Sequence, residues 1–256
     1  AIAASRKAVQ LAPQNWRLHN SLGSLFYNLA RYDEAEEELL KAAELAPDSY
    51  LVYQNLMGIY FRQNRYPEAS AQLQKALQIR PDPSLYSNLG TLLFYQGRYQ
   101  ESVAAMEKAV EMAPNDYLFW ANLADAYQQV PGKTSEARSA YRRSIALLEK
   151  LVARQSTNAI LRSRLAVYLA SVDRIEEALK DLETLAALES DNPDVLYDTL
   201  VVYEKANLRE KSLPALEAAL NAGYPINEIQ NDPLLVGLRE DIRYHRIVME
   251  REAEGH

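Results

Sequence analysis

Large apolar residues recur along this chain in sets that fit one face of a helix, then stop, then resume. Leu22 and Phe26, Leu56 and Tyr60, Leu89 and Leu93, Leu123 and Tyr127, and Leu165 and Leu169 form pairs four residues apart. Spacings of three, four and seven gather such residues into one helical stripe. A second set follows each pair: Leu39 with Ala42, Leu73 with Ala76, Met106 with Ala109, Leu182 with Leu185, and Leu216 with Ala219. The pattern therefore predicts two helices per unit, packed face to face. Small residues at Gly23, Gly90, Ala124 and Ala166 let the two backbones approach closely, whereas Met57 and Leu200 depart from that rule.

The second helices are near copies of one another. RYDEAEEELLKAAELAP at 31–47 is echoed by RYPEASAQLQKALQIRP at 65–81 and RYQESVAAMEKAVEMAP at 98–114. Anchored on Ala35, Ala69, Ser102, Ala137, Ala178 and Ser212, the units lie 34, 33, 35, 41 and 34 residues apart. Asn64, Gly97, Gly132, Asp173 and Asn207 fall between the helices, and these residue types tolerate the left-handed conformation that ends a helix. Glu34, Glu68, Glu101, Glu136 and Glu177 fall in the first turn of each second helix, where a carboxylate meets the positive end of the dipole. Pro13, Pro47, Pro81 and Pro114 close a unit and open the next. One hairpin cannot bury its apolar face alone, so neighbours must stack.

This pattern resembles the tetratricopeptide repeat, and the likeness runs through nearly the whole chain. It implies an all-α, right-handed superhelical solenoid of helix-turn-helix hairpins with a C-terminal capping helix. Six repeats fit over 16–225, starting near residues 16, 50, 83, 117, 159 and 193. Residues 1–15 read as the second helix of a truncated repeat, with Ala1 and Ala8 in register. The 41-residue gap predicts a fourth second helix about two turns longer than the others, projecting from one edge. Residues 226–256 leave the repeat, and Leu234, Leu235, Leu238, Ile242 and Ile247 or Val248 are expected to cover the last hairpin. The VPGKTSEA turn and the DPLL…LREDIRYHRI ending are also similar to C-terminal repeat regions of bacterial signalling proteins: transmembrane transcription regulators, eukaryote-like kinases and nucleotide cyclases.

Composition narrows function mainly by exclusion. With 256 residues and a net charge of -7, the chain has apolar material for a long stack of small cores, and its scattered basic residues argue against a nucleic-acid partner. No run approaches the roughly 18 apolar residues of a membrane span. The absence of cysteine excludes disulfides and thiolate chemistry but leaves the compartment open, cytoplasmic or extracytoplasmic. No initiator methionine is present, in keeping with part of a longer protein. Neither a nucleophile–base pair nor a phosphate loop can be assembled, and His19, His245 and His256 lack partners at metal-ligand spacing. His19 reads as a packed helix residue, and His245 and His256 as solvent-facing. The expectation is a protein without catalytic activity, metal or cofactor.

What remains is a surface for a protein or peptide partner. In the family that the chain resembles, the first helices line the concave side, and their sixth positions here read Asn55, Asn88 and Asn122. Their twelfth positions read Tyr27, Phe61, Phe94 and Gln128, with Arg62 and Tyr95 following two of them. Asparagine offers a donor and an acceptor to an extended backbone, and aromatic rings offer slots for its side chains. These nine residues are the candidate binding site, with Arg17, Arg62 and Arg164 offset by Asp125, Asp194 and Asp198 on the same face. A structural, regulatory or oligomerising region of a larger bacterial signalling protein is the alternative reading.

Overall fold

In the computed structural model, which describes residues 1–188 and 190–254, the chain is a series of helices with no strand among those residues. Helix α1 spans Ile2–Leu11. Six helix pairs follow: α2 and α3 (Trp16–Asn28, Tyr32–Leu45), α4 and α5 (Tyr50–Arg62, Tyr66–Ile79), and α6 and α7 (Pro83–Tyr95, Tyr99–Met112) come first. Then come α8 (Tyr117–Gln128), α9 (Thr134–Arg154), α10 and α11 (Ala159–Ser171, Ile175–Ala186), and α12 and α13 (Pro193–Lys205, Arg209–Asn221). The tail holds α14 (Ile226–Asn231), a 3-10 turn (Pro233–Leu235), α15 (Val236–Arg239) and α16 (Ile242–Glu254). Two compact units divide the chain, Ala1–Ala137 and Arg138–His256, and the division falls inside α9.

First and second helices start by different devices. Asn15, Asp82, Asp116 and Asn192 cap first helices by accepting from the backbone N–H two residues on, at 2.9–3.1 Å. Such caps satisfy donors that the first turn leaves orphaned. The second helices α3, α5, α7 and α11 have no side-chain cap. Their leading arginines instead pair with the glutamate three residues on, Arg31 with Glu34, Arg65 with Glu68, Arg98 with Glu101 and Arg174 with Glu177. The hydrogen-bonded arginines hold Glu68, Glu101 and Glu177 below the ordinary glutamate range.

The turns between helices are left-handed at Asn64, Asp173 and Asn207 and at Gly97 and Gly132. Ala30 adopts the same conformation, with φ 55°, although a Cβ is disfavoured there. The small positions in the first helices are close approaches: a Cβ on Gly23 would lie 2.7 Å from Leu39 Cγ, and one on Gly90 2.4 Å from Met106 Cγ. Met57 and Leu200, at the same place in other hairpins, are nevertheless buried.

In the first unit one core runs through Leu22, Phe26, Leu39, Leu56, Leu73 and Leu85. A smaller cluster gathers Met106, Val110, Leu123 and Ala126. In the second unit Leu200, Leu216 and Leu220 join Ile229, Leu235, Leu238, Tyr244, Ile247 and Val248 of the tail. Two tail residues behave differently from the sequence expectation. Ile242 is 82% exposed and Leu234 is exposed, because the buried face of α16 is set by Tyr244, Ile247 and Val248, and a residue two before Tyr244 points the other way. The extension of α9 is not a bare projection either, since Leu148 and Val152 on its apolar face are buried.

Candidate functional site

The sixth-position asparagines are all partly buried. Asn55 on α4 donates its amide to Asn20 Oδ1 of α2 at 2.9 Å and to Ser24 Oγ at 3.3 Å. Asn122 on α8 donates to Ser87 Oγ of α6 at 3.1 Å. Both therefore spend N–H groups on the neighbouring repeat and retain their carbonyl oxygens. Asn88 differs: its side chain hydrogen-bonds no group among the described residues. Asn55 and Asn122 thus face a helix seam and have only part of their amides to offer a ligand, in contrast to the full donor and acceptor expected of each asparagine. A register of 35 residues brings the sixth position of one first helix beside the fifth position of the one before.

The aromatic residues gather at the turn end of the hairpins. Phe61 contacts Tyr66 at 5.9 Å between ring centroids and Tyr95 at 5.2 Å, both edge-to-face. Phe94 meets Tyr95 at 6.0 Å and Tyr99 at 5.3 Å in the same manner. Tyr66, Phe61, Tyr95, Phe94 and Tyr99 thus form a continuous five-ring ribbon across α4 to α7. Edge-to-face contacts satisfy the ring quadrupoles and hold the rings in fixed relative positions. Tyr95 is 59% exposed, and the other four rings are partly buried. Tyr27 packs edge-to-face on Tyr32 at 5.9 Å, lies over Gly58, and accepts a hydrogen bond from Arg62 Nε at 3.3 Å.

Tyr32, Tyr66 and Tyr99 were not among the sequence candidates. Each opens a second helix, five residues after the ring that it braces. The signal was present in the RY that begins every copied segment. Beyond Tyr99 a cavity of about 310 Å³ is bordered by Gly97, Arg98, Glu101, Gln129 and Val130. Gln128 is exposed and makes no side-chain hydrogen bond among the described residues. Beside it, the Tyr127 hydroxyl donates to Glu107 at 2.6 Å, and burial with that carboxylate raises the phenol's pKa.

In the second unit the sixth positions are Arg164 and Asp198. Asp198 is not a surface charge, as the sequence suggested, but is 2% exposed. Ser163 Oγ donates to it at 2.7 Å and the Arg164 guanidinium lies 3.3 Å away. Burial dominates, lifting its pKa to about 6, while Arg164 and Ser163 pull in the opposite direction.

Among the three histidines, His19 is buried, with Nδ1 2.6 Å from Glu38 and Nε2 2.9 Å from the Pro13 carbonyl. His245 is exposed, and His256 lies outside the described residues. Among the described residues no group of three or more His, Asp or Glu is placed to hold a metal ion, and no helix is long and apolar enough to cross a membrane.

The tetratricopeptide repeat profile matches residues 17–82 and 83–150, together more than half of the chain. The chain belongs to the tetratricopeptide repeat family, a family of protein-interaction scaffolds. No curated protein matches it. Its fold is similar to that of a tetratricopeptide repeat protein from Parabacteroides merdae, with TM-score 0.66 and 15% identity, covering 97% of this chain and 91% of that one. It is also similar to PilF of Pseudomonas aeruginosa, with TM-score 0.56, 18% identity and coverage of 92% and 97%. MamA matches with TM-score 0.55 and 23% identity, over 59% of this chain and 89% of its own.

Proposed function

We propose that the first unit binds an extended segment of a partner protein, with the aromatic ribbon holding its side chains and Asn88 its backbone. The ribbon carries this reading. Five braced rings with an exposed member offer apolar slots whose positions need little reordering on binding, which lowers the entropy cost of association. Asn88 can offer its whole amide to an extended chain, whereas Asn55 retains its carbonyl oxygen and Asn122 its carbonyl oxygen and one N–H. Tyr27, Arg62 and Gln128 flank this line. Arg62 and the surrounding acids mix both signs, so binding should respond weakly to salt.

The experiment is selection of segments from a displayed peptide library on the full chain, followed by titration against variants. Phe61→Ala with Tyr95→Ala should weaken selected segments on the order of tenfold or more. Ile242→Ser, in the second unit, should leave them unchanged. Retained affinity in the double variant, with the fold intact by circular dichroism, would remove the ribbon from the site.

A further inference from the structure

The fourth position of several first helices carries a donor that reaches back to the preceding turn. Tyr53 Oη donates to the Pro47 carbonyl at 3.1 Å, Trp120 Nε1 to Pro114 at 2.9 Å and Arg162 Nη2 to Ser156 at 3.2 Å, each across six residues. Such a bond ties the end of one repeat to the first turn of the next. On α2 the same position is His19, whose Nε2 lies 2.9 Å from the Pro13 carbonyl.

Arg162 also shows what the other side of His19 does. Arg162 Nη1 donates to Asp181 on α11 at 2.6 Å, nineteen residues on. His19 Nδ1 lies 2.6 Å from Glu38 on α3, again nineteen residues on. Both side chains thus clamp a carboxylate of the second helix and a carbonyl in the turn before the first. A guanidinium carries the protons for both bonds at every pH. An imidazole does so only with both nitrogens protonated, because a carbonyl and a carboxylate are acceptors. Moving the shared proton from Nδ1 onto Glu38 leaves that proton count unchanged. Once it is lost, a nitrogen lone pair faces an oxygen, and a side chain with 6% exposure has little water to replace the bond.

We propose that His19 is a proton-operated latch that docks α1 onto the first hairpin, securing the turn after α1 when doubly protonated and releasing it when neutral. Helix α1 is suited to release. No residue on it is fully buried, and Ile2 and Val9 pack only partly buried against the core that holds Leu22 and Phe26. Its ion pair from Arg6 to Glu34 is largely exposed and so holds weakly. The groups around the ring leave the dependence to His19. Helix α3 brings Glu38, with Lys41 near it and paired to Glu37 at 2.8 Å. On α2, Arg17 lies over the Trp16 ring; on α1, Arg6 reaches Glu34 and Lys7 is exposed. On α4, Tyr53 is bound to Pro47, Tyr50 accepts from Arg80, and Arg62 donates to Tyr27. Lysine, arginine and tyrosine ordinarily titrate above the histidine range, and glutamate below it.

The test is amide hydrogen exchange of the full chain at about pH 6 and about pH 8, which bracket the histidine range, corrected for the intrinsic rate at each. Protection of α1 relative to α6 should fall on the order of tenfold across that interval, the effect of one charge-assisted hydrogen bond. His19→Arg copies the clamp of Arg162 and should keep α1 protected at both values. Should that variant not fold, ring ¹⁵N shifts of the wild type decide: two protonated nitrogens on His19 while α1 is protected, one when it is released. A singly protonated ring with α1 still protected would overturn the proposal. So would equal protection of wild-type α1 at both values, or an undiminished dependence in folded His19→Arg.

Discussion

In the first unit Asn55 reaches back to Asn20 and Asn122 to Ser87; in the second unit the same 35-residue step joins Asp198 to Ser163, with Arg164 alongside. The geometry is shared and the chemistry differs. A neutral amide exchanges water for one or two hydrogen bonds and leaves the seam indifferent to pH. A carboxylate in the same place must lose far more hydration, and the rise of its pKa to about 6 shows that Arg164 and Ser163 offset that loss only in part. The sixth position is thus a seam position before it is a ligand position. Only a member without a seam bond, Asn88, has its whole amide to offer.

The eighth positions give the sharpest contrast and the largest expected effect. Leu200 fills this place in the second unit with no exposed surface, whereas Gly90 in the first leaves no room for a Cβ. Leu200→Ala should cost about 2–5 kcal/mol in chemical denaturation, as an unfilled cavity. Gly90→Leu should cost about 1–3 kcal/mol by overpacking. Two neutral results would mean that the hairpins repack freely and that these two hairpins do not differ in this respect.

The seam comparison predicts the next effect. Asp198 binds its proton more tightly when folded, so its contribution to stability is fully present below about pH 4 and is lost as pH rises through about 6. Relative to Asp198→Asn, which cannot titrate, the wild type should lose about 2–3 kcal/mol across that window. Melting curves of both proteins from pH 4 to 7 measure the difference. Parallel curves would show Asp198 to be fully compensated by Arg164, erasing the contrast with the amide seams.

The smallest effects separate the asparagines from one another. Asn55→Ala and Asn122→Ala should each lower stability by about 0.5–1.5 kcal/mol. Asn88→Ala should leave stability unchanged and weaken only segments that bind the first unit. An equal stability loss in all three would place Asn88 in a seam as well.

Much of this fold was legible because it is written in packing volume and turn conformation, both local properties. Gly23 and Gly90 announce close backbones, and Asn64, Gly97, Asp173 and Asn207 announce left-handed turns. Ala30 could not be read that way, since its residue type argues against the conformation it adopts. The site was less legible for a different reason. A sixth-position asparagine reads the same whether its amide faces a ligand or the preceding helix, and that choice depends on what stands at the fifth position 35 residues earlier. The bracing tyrosines escaped notice because a repeated RY reads first as a helix start. Ile242 misled because one apolar residue before a helical stripe does not reveal which side of the stripe it lies on.

Six side-chain hydrogen bonds, Arg62 to Tyr27, Asn55 to Asn20, Asn122 to Ser87, Arg138 to Asp173, Ser163 to Asp198 and Tyr197 to Asp232, each span 35 residues. Each such step closes a loop of the same length, so the chain meets the same modest entropy cost at every addition instead of one large cost at the end. A nascent chain emerging from a ribosome could dock each hairpin as soon as the next 35 residues appear, N-terminal hairpin first. Its folding rate should follow that short contact distance and not its 256-residue length.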